Sequence, residues 1–201
     1  MNNHRRSKMT RQLQIYYTLT TSKIIGPEDL MNQFGVSRRM LQRDLKDLHD
    51  CGLIHVKYDR KKKQYVSAGD AVFDKTAKER RRMHLLRLYR IGTLIHELSR
   101  TGTDELHMYE SALEDYEYDL RLSKENPAEY PPEEIMDKPD PFDFPNIKAE
   151  YYALFPQSNE RTRQRDFAVM NRAGFRIYYS RQHRVFIFEY DEYNNFAIFE
   201  E

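Results

Sequence analysis

Arg39, Gln42, Arg43 and Lys46 follow one another at steps of three, one and three residues. In an α-helix, which turns by about 100° per residue, that spacing puts all four on one face. Leu41, Leu45 and Leu48 then share the opposite face. The outward side chains are the types that read duplex nucleic acid. A guanidinium forks onto guanine O6 and N7, a carboxamide pairs with adenine N6 and N7, and an ammonium grips phosphate. Arg39 or Arg43 is the candidate for guanine and Gln42 for adenine. Spacing alone does not choose between the two arginines. Ser37 and Arg38 open the same segment and join the candidate contacts.

The flanking sequence must hold that face in place. Apolar and aromatic positions at Leu13, Ile15, Tyr16, Tyr17 and Leu19 predict a first helix over 8–22. Pro27-Glu28-Asp29 predicts the start of a short second helix ending at Phe34. Proline's missing N–H costs little there, and the acids face the positive helix end. Gly35 supplies a turn, Val36 fills the gap between helices, and Ser37 is an N-cap. Gly52 stops the third helix. His55–Tyr58 and Gln64–Val66 then read as two strands around a polar turn at 59–63. Helix, helix, helix and hairpin in this order make a winged helix closing near residue 70. The hairpin tip, Arg60-Lys61-Lys62-Lys63, is expected on the phosphate backbone, where it adds affinity and salt dependence rather than sequence choice. Arg5, Arg6 and Lys8 are candidates for a similar basic arm.

The charge distribution agrees. The 201-residue chain has a net charge of only +1, with 13% aromatic residues that argue against global disorder. Yet residues 1–66 carry 14 Lys/Arg against 6 Asp/Glu, and 67–100 carry 8 against 4. Residues 101–150 carry 4 against 15, and 151–201 balance at 7 and 7. A cationic half suits a polyanionic partner.

Beyond the hairpin, a long helix is expected from Lys75 to about Arg100. A break is expected at Thr101-Gly102-Thr103-Asp104, followed by a second helix over roughly 104–124. Arg80-Arg81-Arg82 reads equally as a backbone contact or a solvated helix start. Six of the eight prolines fall in the acidic segment 125–145, a linker or extended arm. Helices over 147–155 and 159–173, a glycine at 174 and strands over 176–179 and 184–190 follow, with a terminal strand at 196–199. The division is thus a winged helix over 1–70, a helical linker or dimerisation region over 71–125, an acidic Pro-rich linker over 126–146 and a winged-helix-like domain over 147–201. The fold class is mainly α with small β-hairpins.

Gly35-Val36-Ser37, Met40-Leu41-Gln42-Arg43-Asp44-Leu45 and Gly52-Leu53-Ile54 stand in the order found in one family of regulators. Residues 27–66 closely resemble the N-terminal winged helix of DeoR-type and WYL-type bacterial transcriptional regulators. The resemblance implies sequence-specific double-stranded DNA binding through helix 37–51, in a repressor more than an activator. About 130 residues follow, without a sensor module of those families, so the effector is left open.

The tail echoes the head. A shift of 122 aligns Gln42-Arg43-Asp44 with Gln164-Arg165-Asp166, Leu48 with Met170 and Gly52 with Gly174. Arg161, Gln164 and Arg165 are therefore candidates for a second DNA site.

Seven scattered His, one Cys and the absence of HExxH or a Gly-rich phosphate loop give no catalytic or metal constellation, and no cofactor is expected. Cys51 reads as a small semi-buried residue. With no signal-peptide pattern or membrane-length apolar run, a cytoplasmic protein is expected, acting as a homodimer. Two other classes stay open. One is a replication initiator or mobile-element protein with two winged helices. The other is a protein-interaction adaptor built on the same modules.

Overall fold

A computed structural model describes residues 7–21, 25–132, 135–140, 147–181 and 185–189. Among the described residues six helices and two hairpins run in the order α1 (Lys8–Thr21), α2 (Pro27–Phe34), α3 (Arg38–Asp50), β1 (Val56–Asp59), β2 (Gln64–Ser67), α4 (Glu79–Glu125), α5 (Ile147–Leu154), α6 (Glu160–Arg172), β3 (Arg176–Ser180) and β4 (Val185–Glu189). The fold is mainly α with small antiparallel hairpins. In the first hairpin Tyr58 pairs with Tyr65, and in the second Ile177 pairs with Phe188.

The local signals act as their chemistry requires. The Gly26 N–H donates to the Asp29 carboxylate at 2.9 Å, closing the start of α2. Gly35 ends α2 at φ 60°, and the Val36 N–H reaches back to the Met31 carbonyl. Ser37 Oγ accepts the Met40 N–H at 3.3 Å, the N-cap bond of α3. Gly52 follows α3 at φ 82°, a left-handed conformation that a β-carbon disfavours.

Contacts group the described residues into two compact units. The first holds those up to His96 together with Asn159–Phe175, and the second those of Glu97–Ser158 and Arg176–Tyr190. These units cut across the four consecutive segments read along the sequence. Of the 147–201 segment, α6 lies in the first unit, whereas α5, β3 and β4 lie in the second. The first unit is built on Leu13, Ile15, Leu30, Leu41, Leu48, Leu85, Leu88 and Ile91, all fully buried. At about 25 cal/mol per Å2 of apolar surface, each such side chain contributes roughly 1.5–3 kcal/mol. In the second unit α5 packs on β4, with Tyr151 and Phe188 buried.

One expectation is overturned. The chain does not break at Thr101–Asp104, and α4 continues through it as one helix of 47 residues. Thr, Gly and Asp cost about 0.5–1 kcal/mol each in a helix. Restarting costs more, because each new helix needs an unfavourable nucleus. Leu98 before that stretch and Tyr109 after it are both buried, so both flanks favour continuation. The basic-arm residues Arg5 and Arg6 and the terminal strand at 196–199 lie outside the described residues.

Candidate nucleic-acid interface

Helix α3 is divided by charge. Arg38, Arg39, Gln42, Arg43 and Lys46 are all exposed on its outer side, as is the cap Ser37. Leu41 and Leu48 are fully buried on the inner side, with Leu45 half-buried. The inner side also carries three aspartates that periodicity assigned to no face. Asp44 and Asp47 are buried and Asp50 half-buried.

Each aspartate has a cationic partner. Asp44 accepts from Arg11 Nε at 2.7 Å, from Arg11 Nη2 at 3.2 Å and from Gln12 Nε2 at 3.1 Å. Asp47 accepts from Gln12 Nε2 at 3.0 Å and Arg81 Nη2 at 3.0 Å, with Lys8 Nζ at 2.6 Å. Asp50 accepts from the same Arg81. Burial pushes the Asp47 carboxyl up, but the hydrogen bonds and charges of Lys8 and Arg81 outweigh it and hold it below its ordinary value. Burial also pushes the Asp50 carboxyl up, but the hydrogen bonds of Arg81 and His49 and the charges of Arg81 and Lys46 together lower it.

The inner acids are thus neutralised by α1 and α4, which leaves the outer cations uncompensated by their own helix. Arg81 is engaged in this brace. Arg82 pairs with Glu79 at 3.2 Å, and Arg80 is exposed. Lys8, read as part of a basic arm, is the first residue of α1 and pairs with Asp47.

The hairpin joins this face. Asp59 Oδ1 accepts the N–H groups of Lys61 and Lys62 at 2.8 and 3.1 Å, which folds the tip and leaves Arg60, Lys61, Lys62 and Lys63 exposed. Lys63 has φ 53°, in the left-handed region. The Tyr65 N–H donates to the Ile25 carbonyl at 2.9 Å, tying the returning strand to the chain two residues before α2. A cleft of about 340 Å3 lies between these parts, lined by Pro27, Arg38, Tyr58 and Lys63 among others. Arg38 and Lys63 therefore meet at one cleft, 25 residues apart in sequence.

Cys51 is fully buried, donates to the Leu48 carbonyl at 3.2 Å, and its thiol is pushed up to about 12 by burial. Arg161, Gln164 and Arg165 are exposed on α6, whereas Arg163 between them is buried against Glu160 and the Phe167 ring.

Three helices, a glycine turn and a two-stranded wing, with one cationic helix face outward, define a winged helix-turn-helix. Residues 11–65 match the family model of the HTH domain, which supports an N-terminal helix-turn-helix. The match runs from α1 to β2 and covers little more than a quarter of the chain. It supports a DNA-binding transcription regulator. No curated protein and no solved structure matches the chain. Among the described residues no helix is long and apolar enough to cross a membrane.

Proposed function

We propose that this chain is a sequence-specific double-stranded DNA-binding regulator of the DeoR and WYL type. Helix α3 lies in the major groove, and the Arg60–Lys63 tip lies on the backbone. The carrying observation is the charge-divided α3: its acids are ion-paired, with Asp44 and Asp47 buried, while Arg39, Gln42, Arg43 and Lys46 all face outward. Arg39 or Arg43 reads guanine and Gln42 reads adenine. Occupying a promoter site is sufficient to block transcription, which supports a repressor. A single reading helix gains specificity from a two-fold partner on a palindrome, which supports a homodimer.

Selection from a random duplex pool tests this reading. A defined site should emerge, and Arg39→Ala with Arg43→Ala should weaken it by at least about 1–3 kcal/mol, the worth of the one guanine contact that either arginine makes. Intact specific binding by that double variant refutes the reading. A second reading, an initiator or mobile-element protein with two winged helices, is favoured by the likeness of α6 to α3. A footprint on iterated repeats rather than one palindrome would select it.

A further inference from the structure

Helix α6 repeats α3 at the level of structure as well as sequence. Both have 13 residues, and each is capped by a side-chain oxygen, of Ser37 or Asn159, that accepts an N–H three residues on. Each is followed by a glycine in the left-handed region, at φ 82° and 92°. Asp44 and Asp166, equivalent under the 122-residue shift, are each 1% exposed. Each is held by arginine from another helix. Arg11 of α1 binds Asp44, while Arg87 at 3.0 Å and Arg90, both of α4, bind Asp166. Leu48 and Met170 are both fully buried, as are Cys51 and Ala173.

The exposed face repeats too. Arg39, Gln42 and Arg43 correspond to Arg161, Gln164 and Arg165, and all six are exposed. Packing explains a repeated core. It does not explain the same three polar types at the same three solvent-facing positions.

The direction of this second face follows from the scaffold. Arg11 and Gln12 on α1 meet α3, whereas Gln14 donates to the Ala173 carbonyl at 3.2 Å and Tyr17 packs edge-on against Phe175 at the end of α6. On α4, Arg81 and His84 lie against Asp47, whereas Arg87 and Arg90 bind Asp166. At about 100° per residue, the two sets lie roughly 120–140° apart around each helix. Helices α3 and α6 therefore flank the α1–α4 pair from two sides, and their outward faces diverge. One straight duplex cannot lie on both.

We infer that the Arg161–Gln164–Arg165 face of α6 binds a second duplex DNA segment, so that one chain bridges two duplexes. The inference rests on the reading of α3 as the first DNA face. The second face is the weaker one. Glu160 stands where α3 has Arg38, Ala168 stands where it has Lys46, and Gln164 Nε2 donates to the Glu160 carboxylate at 3.0 Å. It therefore grips phosphate through Arg161 and Arg165 more than it reads bases.

The test uses the whole chain at low salt with two duplexes of about 30 bp, roughly three helical turns. One is biotinylated and the other fluorescent. Beads should capture the fluorescent duplex only with protein present, and solution mass should show the chain, or its homodimer, with more than one duplex bound. The variant Arg161→Ala/Gln164→Ala/Arg165→Ala should keep single-duplex binding, which also shows that it folds, and lose capture by at least about tenfold, the loss expected for two phosphate contacts.

Three results overturn the inference while leaving the α3 reading intact. One is a wild type that binds one duplex and never captures a second. Another is capture that persists undiminished in the triple variant. The third is a bridged complex of two chains that is blind to that variant. If the wild type binds no duplex at all, both readings fall.

Discussion

Replacing Asp44 with alanine should undock α3 from its scaffold. The carboxylate is 1% exposed and accepts three hydrogen bonds, two of them from Arg11, whose side chain is only 13% exposed. Removing one partner of a buried ion pair costs about 3–5 kcal/mol, because the other charge stays desolvated. The residual exposure of Arg11 lets water recover part of that, so the lower end applies, about 3 kcal/mol. For a chain of this size each kcal/mol moves the melting temperature by about 2–4 °C, so a fall of about 6–12 °C is expected. Asp44→Asn should recover little, because every donor points at the carboxylate and the amide NH2 must face at least one of them. Thermal melting followed by circular dichroism measures the global effect. Labelling of Cys51 by a thiol reagent measures the local one, since that thiol is fully buried in the native protein and its ionisation is pushed up to about 12. Labelling should accelerate in Asp44→Ala below the melting transition. A shift under about 2 °C with unchanged labelling would refute the view that buried aspartates hold α3 on its scaffold.

Three further outcomes follow from the same geometry. Arg60→Ala/Lys61→Ala/Lys62→Ala, which spares the left-handed Lys63, should lower the salt dependence of DNA binding by a slope of up to about 2–3 while leaving site preference unchanged. Fluorescence anisotropy across a salt series reads this, and an unchanged slope removes the wing from the interface. Burial lowers the pKa of His84 first, and nearby Lys8 adds to it, against the opposing charges of Asp47 and Asp44. The folded state then binds fewer protons than the unfolded one, so stability is lost as pH falls below the ordinary histidine value of 6.5 towards the lower folded value. His84→Gln should flatten melting temperature against pH in that window, and a wild-type slope in the variant would show that other groups carry it. A β-carbon at Gly92 would meet Leu53 Cδ1 at 2.4 Å. Gly92→Ala should therefore forfeit its helix gain of about 1 kcal/mol, and Leu53→Ala in the same chain should restore that gain relative to Leu53→Ala alone, as read by denaturant titration.

The α1–β2 region was legible because its signals are local. Pro27, Gly35, Ser37 and Gly52 each act through backbone geometry within a few residues, and the observed bounds of α2 and α3 follow them closely. The outward set Arg39, Gln42, Arg43 and Lys46 was legible for the same reason, since a 3.6-residue period places a side chain on a face without knowledge of any partner. The break expected at Thr101–Asp104 failed because propensity is a weak term beside continuation of a long helix whose flanks are buried at Leu98 and Tyr109.

By itself, then, the sequence determined the winged helix, its cationic outward face and the likeness of α6 to α3. Only the tertiary structure decided which charges those faces keep. Asp44, Asp47 and Arg81 look alike in sequence to any solvated ion, and contacts spanning more than 30 residues turn them into an internal brace. Only the tertiary structure, too, placed α6 with the first 96 residues rather than with its own hairpin. That choice depends on where Arg87 and Arg90 meet a buried Asp166 nearly 80 residues away, a pairing that no local period encodes.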